Sequence, residues 1–164
     1  MNRIIITAIG KDRPGLVNKI TSIISNNNGN IENSKMIKID DQFAIIINFS
    51  LSGDTSNIES ELDLIKKLSF FTKKTGKSES LNKIDKNYLI KGADDQGIID
   101  TISNYFRDNE INITEINTFV ESAPTTGSPL FNMEISIESN TDRLEKIKLD
   151  LLDICKKMNL NLLD

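Results

Sequence analysis

The chain has 164 residues, of which 38% are hydrophobic and 27% are charged, and its net charge is −4. That composition is typical of a soluble globular protein, and no apolar run is long enough for a signal peptide or a membrane span. Histidine is absent and Cys155 is the only cysteine, which excludes Ser-His and Cys-His nucleophile pairs, most zinc sites and an intrachain disulfide.

The first half of the chain alternates strand and helix patterns. A β-branched run over 4–9 stops at Gly10 and predicts a buried central strand. Pro14 suits the first turn of a helix, and Asn and Gly at 26–29 are typical of a helix end. The elements that follow are predicted as strands over 30–39 and 42–51, a helix from Ile58 to about Lys74, and a weak strand near 78–84.

The same pattern returns 82 residues later without a gap. Residues 10–17 read GKDRPGLV and residues 92–99 read GADDQGII. The match extends to the pairs Asn27 with Asn109 and Asn30 with Asn112, and it keeps the apolar positions of the helix between them. We interpret the chain as a tandem repeat, with a first domain over 1–84 and a second over 85–164.

The second half repeats the predicted element order. Strands are expected over 87–91, 111–121, 130–139 and 160–163, a helix over 98–108, and a helix capped by Thr141 that runs to about Met158. The fold class is α+β, with two βαββαβ units of ferredoxin-like arrangement, each an antiparallel sheet with its helices on one face. The units differ at the central hairpin, where 122–129 replaces the short turn Asp40-Asp41.

Charge separates the two halves. Residues 1–82 carry 11 Lys and Arg against 9 Asp and Glu, a net charge of +2, whereas residues 83–164 carry 9 against 15, a net charge of −6. Neither half has the basic patch that nucleic-acid binding requires. Asp94 and Asp95 alone are too few ligands for a metal site.

The Asp-Arg-Pro-Gly motif at 12–15, followed by Asn30-Ile31, resembles the ACT domain, a ferredoxin-like module that senses amino acids. The resemblance covers one copy per half, and the second copy has Gln96 where the motif has proline. Two ACT units in one chain, together with the hairpin sequence APTTGSPLFNM at 123–133, resemble the glycine cleavage repressor family. The resemblance implies a regulatory protein that binds a small amino acid, with glycine or serine as the first guess.

The repeated loop has the chemistry that an amino acid needs. The turn at Arg13, Pro14, Gly15 and Leu16 exposes the first N–H groups of a helix to a carboxylate, and Asp12 could accept the ammonium group. The resemblance implies that the ligand lies at this loop and across the interface to a neighbouring unit. The candidate site residues are Asp12, Arg13, Pro14, Gly15, Leu16 and Asn30 in the first copy, and Asp94, Gln96, Gly97, Ile98 and Asn112 in the second.

Ordinary structural roles remain open for these residues. Asp12 can serve only as a helix cap, and Asn30 and Asn112 can be turn residues. We expect no enzyme activity, no metal and no cofactor, and a homodimer that stays in the cytoplasm and contacts neither nucleic acid nor membrane. If it resembles the repressor in action, it regulates transcription through an activator protein. The alternatives are a ligand-blind ACT scaffold and a regulatory module related to formyltetrahydrofolate deformylase.

Overall fold

The computed structural model describes residues 2–76, 84–124 and 127–163. The chain divides into two compact units, Met1–Glu79 and Ser80–Asp164. Ile84, which the sequence analysis assigns to the first domain, pairs with Ser139 in the sheet of the second unit. Across the described residues, no helix combines the length and the apolar character needed to cross a bilayer.

The first unit has the predicted order of strand, helix, strand, strand, helix, strand. Its elements are β1 (Asn2–Lys11), α1 (Leu16–Asn26), β2 (Asn30–Ile39), β3 (Gln42–Leu51), α2 (Ser56–Asp63) and β4 (Leu68–Thr75). The four strands form one antiparallel sheet in the order β2-β3-β1-β4, so β1 is a central strand as predicted.

The second unit repeats this architecture. Its elements are β5 (Ile84–Ala93), α3 (Ile98–Asp108), β6 (Asn112–Ser122), β7 (Pro129–Ser139), a 3₁₀ turn (Thr141–Arg143), α4 (Leu144–Lys157) and β8 (Leu160–Leu163). The sheet order is β6-β7-β5-β8, which is the order of the first unit. The predicted class, two ferredoxin-like βαββαβ units, is therefore confirmed.

Each unit has a core between one face of its sheet and its helices. In the first unit, alternate residues of β1 (Ile4, Ile6 and Ala8) are buried with Ile20 and Ile24 of α1. In the second unit, a separate core is built in the same way by these residues: Tyr88, Ile90, Ile102, Phe106, Ile135 and Leu151. The helical spacing of the apolar residues is thus the spacing that covers one sheet face.

The repeated glycines near the ends of β1 and β5 are required by close packing. A Cβ at Gly10 would lie 2.3 Å from the carbonyl oxygen of Lys67, which belongs to the turn before β4. A Cβ at Gly92 would lie 2.4 Å from Cδ2 of Leu160 and 3.1 Å from the carbonyl oxygen of Asn159. The close approach of β1 and β5 to the turn before the last strand therefore favours glycine at this position, most strongly at Gly10, where the nearest atom belongs to the backbone.

Two sequence predictions about local structure are wrong. The helix predicted from Ile58 to about Lys74 ends at Asp63, because Lys67 turns the chain with a left-handed φ of 60° and Leu68–Thr75 then pairs with β1. Thr141 makes no capping hydrogen bond and instead begins the 3₁₀ turn before α4. The weak strand predicted near 78–84 lies, except for Ile84, outside the described residues.

Candidate functional site

The loop between β1 and α1 is built on a left-handed glycine. Gly15 has φ of 82° and is the residue before the first helical residue. No atom of residues 2–76, 84–124 or 127–163 lies within 4 Å of the position a Cβ would take. The glycine is therefore required by backbone conformation and not by lack of space. Leu16, the next residue, is only 4% exposed, so it contributes its backbone and not its side chain to the loop surface.

The start of α1 presents unused hydrogen-bond donors. The first helical bond runs from the N–H of Lys19 to the oxygen of Gly15 at 2.9 Å, and the N–H of Leu16 reaches the oxygen of Arg13 at 3.3 Å. Among the described residues, the N–H groups of Val17 and Asn18 have no protein acceptor. Donors of this kind, at the positive end of a helix dipole, favour an anion such as a carboxylate.

Asp12 is tied to the β2–β3 hairpin. Its backbone N–H donates to the carbonyl oxygen of Asp41 at 2.8 Å, and its carboxylate lies 2.9 Å from Nζ of Lys38. No side chain in the described part of the chain forms a capping hydrogen bond with α1. The capping role that the sequence leaves open for Asp12 is therefore not the one it takes. Instead, Asp12 and Lys38 place one carboxylate and one ammonium group side by side at the loop.

Two shallow clefts flank this loop. One, of about 570 Å³, lies between the start of α1 and the hairpin, and its lining includes Asp12, Gly15, Asn18, Met36 and Phe43. The other, of about 320 Å³, lies on the side of α2, and its lining includes Arg13, Lys19, Leu64 and Lys66.

Arg13 forms one wall of the second cleft. Its guanidinium donates to the carbonyl oxygen of Lys66 at 3.0 Å, which holds the side chain against the turn that precedes β4. Pro14 and Gly15 line both clefts. With Arg13, Lys19 and Lys66 in its lining, the second cleft has a basic border.

Asn30 lies far from the loop within its own unit. It pairs with Ser50, which also faces Arg3 near the start of β1, whereas Lys38 pairs with Phe43, which faces Gly10. Eight residues of strand β2 separate Asn30 from Lys38, a distance of roughly 26 Å at about 3.3 Å per residue. One unit therefore does not bring Asn30 together with Asp12 and Gly15.

The second unit keeps the backbone of the loop and changes its charge. Gly97 has φ of 83°, and the N–H of Thr101 bonds to its oxygen at 2.9 Å. Asp95 stands where the first unit has Arg13, and its carboxylate accepts the backbone N–H of Gln96 at 2.7 Å. The loop that would offer N–H donors to a carboxylate thus already carries a carboxylate of its own.

The remaining predicted residues of the second unit do not complete a site. Ile98 is 2% exposed and packs into the core. Asn112 lies at the far end of the sheet, where its amide is 3.5 Å from the carboxylate of Glu138. Asp94 and Asp95 remain a pair, since no group of three or more metal-ligating side chains occurs in the described parts of the chain.

The family is decided by the first unit. Residues 2–76 match the family model of the ACT domain, which spans that unit from β1 to the end of β4. The first unit of this chain belongs to the ACT domain family. The ACT loop of the first unit is therefore the segment from Asp12 to Leu16, and its counterpart in the second unit runs from Asp94 to Ile98.

Curated relatives agree with this assignment. The glycine cleavage system transcriptional repressor of Escherichia coli is 27% identical over 141 residues, which cover 83% of this chain and 74% of the repressor. A UPF0237 protein of Methanopyrus kandleri is 40% identical over 52 residues, or 32% of this chain, and the matched stretch spans 58% of that protein. The chain thus contains an ACT domain and is similar to the repressor over most of its length.

Two solved structures have the same fold as this chain. An unknown protein from Galdieria sulphuraria superimposes with a TM-score of 0.87 at 21% identity, covering 98% of this chain and 95% of that one. A candidate glycine cleavage system transcriptional repressor superimposes with a TM-score of 0.65 at 18% identity, covering 99% and 98%. At these identities the likeness establishes the fold alone.

Sequence reasoning missed the residues that the hairpin brings to the ACT loop. Lys38, Met36 and Phe43 line or border the larger cleft, but they lie more than 20 positions from Asp12 in the chain. The sequence did contain the information needed, because it predicts two ten-residue strands joined at Asp40-Asp41. In a hairpin of that length the turn lies beside the end of β1, next to the loop that leads into α1.

Proposed function

We propose that this chain is an amino-acid-sensing regulatory protein that binds glycine or serine at the ACT loop of its first unit. Bound amino acid alters the binding of the chain to a partner protein. Through that partner the chain regulates transcription in the cytoplasm. The observation that supports this most strongly is the ACT loop itself. It combines free helix N–H groups with a neighbouring carboxylate and ammonium group.

The ligand carboxylate is assigned to the start of α1. The N–H groups of Val17 and Asn18 point out of the first turn, and Gly15 allows close approach because it has no side chain. Lys38 adds a positive charge on the hairpin side. Donors already held in place favour binding, since little ordering is needed when the ligand arrives.

The ligand ammonium group is assigned to Asp12. This carboxylate is half-buried and held by Lys38 at 2.9 Å, and its remaining lone pairs can accept hydrogen bonds from a second cation. Glycine and serine come first as candidate ligands because the name of the Escherichia coli relative refers to the glycine cleavage system.

The second unit is proposed to be ligand-blind. Its loop holds the Asp95 carboxylate against the N–H of Gln96, where a ligand carboxylate would be repelled. This is the one observation that favours the scaffold alternative, and it does so for one half of the chain. We assign sensing to the first unit and partner contact to the second.

The name of the Escherichia coli relative motivates the transcriptional role. Direct action on DNA is disfavoured by the net charge of −4 and by the net −6 of the second half, because DNA binding depends on neutralising phosphates with basic side chains. Titration of the purified chain with DNA fragments at low salt should show only weak, sequence-independent binding. Tight sequence-specific binding by the chain alone would contradict the partner-mediated mechanism.

Thermal unfolding with each of the twenty amino acids at millimolar concentration tests the sensing role. A ligand that binds only the folded state stabilises it by about 2.7 kcal/mol at a hundredfold excess over Kd. We expect an upward shift in Tm with glycine or serine that is lost in Asp12→Ala and kept in Asp94→Ala. The absence of a shift with any amino acid would leave the scaffold as the function of both units.

Asn30→Ala provides a second control within the first unit. Because Asn30 lies at the opposite end of the sheet from the ACT loop, the shift should survive this change if one unit binds alone. Loss of the shift in this variant would instead mean that a neighbouring unit supplies the amide.

A further inference from the structure

The sheet of the first unit has an exposed apolar face. Its helices cover one side, and the residues that point to the other side include Ile9, Ile37, Ile46 and Phe71. These four are 51%, 51%, 44% and 66% exposed. We call this side of the sheet the first outer face. Large apolar side chains gathered on one sheet face, rather than scattered, are typical of a contact surface.

The corresponding side of the second sheet, the second outer face, carries mainly acidic charges beside apolar side chains such as Phe119, which is 41% exposed. The strand register places Asp85, Glu121, Glu134 and Glu138 on it, while Lys91 is its one cation among the described residues and lies 3.8 Å from Glu121.

The first outer face carries the opposite charge. Apart from Arg3, which is paired with Glu32 at one end of the sheet, its charged strand positions are lysines: Lys11, Lys35 and Lys73. The two faces are therefore complementary in charge, although they belong to the same fold.

The two faces differ position by position. The central row of the first face runs Lys35, Ile46, Thr7 and Phe71 across the sheet. The row at the same place in the second face runs Asn117, Glu134, Leu89 and Leu163. Because the two units share one fold, this contrast reflects the side chains and not the backbone.

The second outer face has a cleft at the place where the first outer face has the exposed ring of Phe71. A cleft of about 460 Å³ lies over its middle, and Leu89, Leu163, Asn117 and Glu134 belong to its lining. The amide of Asn117 donates to Glu134 at 3.1 Å and so holds that carboxylate at the edge of the cleft. The apolar floor suits an aromatic ring, and the acidic border suits a lysine.

We propose that the first outer face of one copy of the chain binds the second outer face of another copy. Phe71 seats in the cleft over Leu89 and Leu163, and Lys73, which lies two residues further along β4, meets the acidic border. A two-fold axis then makes this contact twice, since each copy offers one face of each kind. Because the two faces are complementary in charge, the first outer face should bind a second outer face in preference to another first outer face.

The area available is sufficient for such a dimer. Four strands about 4.8 Å apart and six residues long at about 3.3 Å each give a face of roughly 400 Å². One contact buries roughly 800 Å² over both partners, and the two contacts together bury roughly 1,600 Å², the size of a standard stable interface. One contact alone falls in the range of weak association.

Sedimentation of the full chain and of two variants tests the pairing. The wild-type chain should be a dimer at micromolar concentration, with an affinity that weakens as salt rises. Phe71→Glu and Glu134→Lys, measured separately, should each raise the dimer Kd by more than about tenfold, because every contact then contains one altered face.

An equimolar mixture of the two variants distinguishes unlike from like pairing. A mixed dimer retains one contact between two unaltered faces, and in its other contact the new glutamate of one variant lies opposite the new lysine of the other. It should therefore be tighter than either variant's own dimer. Absence of such a mixed dimer would overturn the proposal. So would a Glu134→Lys chain that dimerises as wild type while Phe71→Glu does not, since the first faces would then pair with each other.

Two control variants separate this effect from general surface change. Leu64 is 77% exposed and lies at the end of α2, which covers the other side of the first sheet, so Leu64→Glu should leave the dimer intact. Glu145→Lys, on the exposed first turn of α4, is the matched control for Glu134→Lys. Circular dichroism confirms that each variant is folded, and a wild-type chain that remains monomeric at all concentrations would refute the proposal directly.

Discussion

The first helix of each unit begins at a left-handed glycine, yet the residue two positions earlier carries opposite charge in the two units. Arg13 of the first unit reaches across to the turn before β4, whereas Asp95 of the second folds back onto the N–H of Gln96. The φ angles at Gly15 and Gly97 are 82° and 83°. The duplication thus preserved the backbone of the loop, and the side chains around it diverged.

The same division runs through the rest of the two units. Asn27 and Asn109, which correspond in the repeat, each donate a side-chain hydrogen bond to the carbonyl oxygen four residues earlier, at 2.9 and 2.8 Å. Both amides close the end of their helix in the same way. The charges on the outer sheet faces, by contrast, are mostly basic in the first unit and mostly acidic in the second. Residues that shape the backbone were kept, and residues of the sheet surface changed.

The largest expected effect comes from the glycines that adjoin the turn before the last strand. Gly10→Ala should destabilise the first unit by about 3 kcal/mol, because the new Cβ meets a backbone oxygen. Gly92→Ala should cost about 1 kcal/mol, since the nearest atom is the end of the Leu160 side chain, which can move. Urea unfolding of each variant checks the ranking, and equal costs would contradict it.

The left-handed glycines should be equally costly to replace but unequal in function. Gly15→Ala and Gly97→Ala should each lose about 1.5 kcal/mol, because alanine is strained at positive φ. Only Gly15→Ala should also abolish the Tm shift with amino acid. A Gly97→Ala chain that loses the shift while remaining folded would place the ligand in the second unit.

In the second unit, a hydrogen bond between two side chains joins α3 to α4. The hydroxyl of Tyr105 donates to the Asp150 carboxylate at 3.0 Å. Burial and this hydrogen bond raise the pKa of Tyr105, and hydrogen bonds from Lys146 and Tyr105 lower the pKa of Asp150. Tyr105→Phe should therefore cost about 1 kcal/mol at neutral pH.

The pH dependence of that cost follows from the two shifts. The lowered pKa of Asp150 means that its contribution is present above the ordinary value of 3.8 and is lost as the pH falls through the folded pKa. The raised pKa of Tyr105 means that its contribution is present below the ordinary value of 10.0 and is lost as the pH rises. The difference between wild type and variant should be level from about pH 5 to 9 and shrink outside that range. A difference that does not change with pH would indicate packing alone.

The substitutions with the smallest expected effect on stability test whether the loop charge decides which unit binds amino acid. Arg13→Asp and Asp95→Arg exchange the charges of exposed residues and should each change stability by less than about 0.5 kcal/mol. Arg13→Asp should nevertheless reduce the Tm shift with glycine or serine, because a carboxylate then stands near the N–H groups of α1. If both variants respond like wild type, the loop charge does not set the difference between units.

The sequence was a good guide to the fold because the repeat and the hydrophobic periods agreed. The bounds of α3 and β8 and the strand order in each unit follow from apolar spacing and the ferredoxin-like pattern. The end of α2 did not follow, because Ile58, Leu62 and Ile65 are buried at helical spacing and Leu68, three residues further on, continues that spacing into a strand. Lys67 adopts a left-handed conformation, and a lysine in the sequence does not predict that conformation.

The candidate site was predictable in its loop and not in its surroundings. Asp12 and Gly15 are three residues apart in the chain, as are Asp94 and Gly97 in the second copy. A local sequence motif is therefore sufficient to find each pair. Lys38 reaches Asp12 only through the register of β2 with β3 and of β3 with β1. Asn30 was grouped with the loop by the repeat, but the same register places it at the far end of the sheet.

The most direct test of the account is the stoichiometry of amino acid binding by isothermal titration of the full chain. The account predicts one glycine or serine per chain, unchanged in Asp94→Ala and reduced to none in Asp12→Ala. Two equivalent sites per chain, or one site that survives Asp12→Ala and disappears in Asp94→Ala, would contradict the assignment of sensing to the first unit.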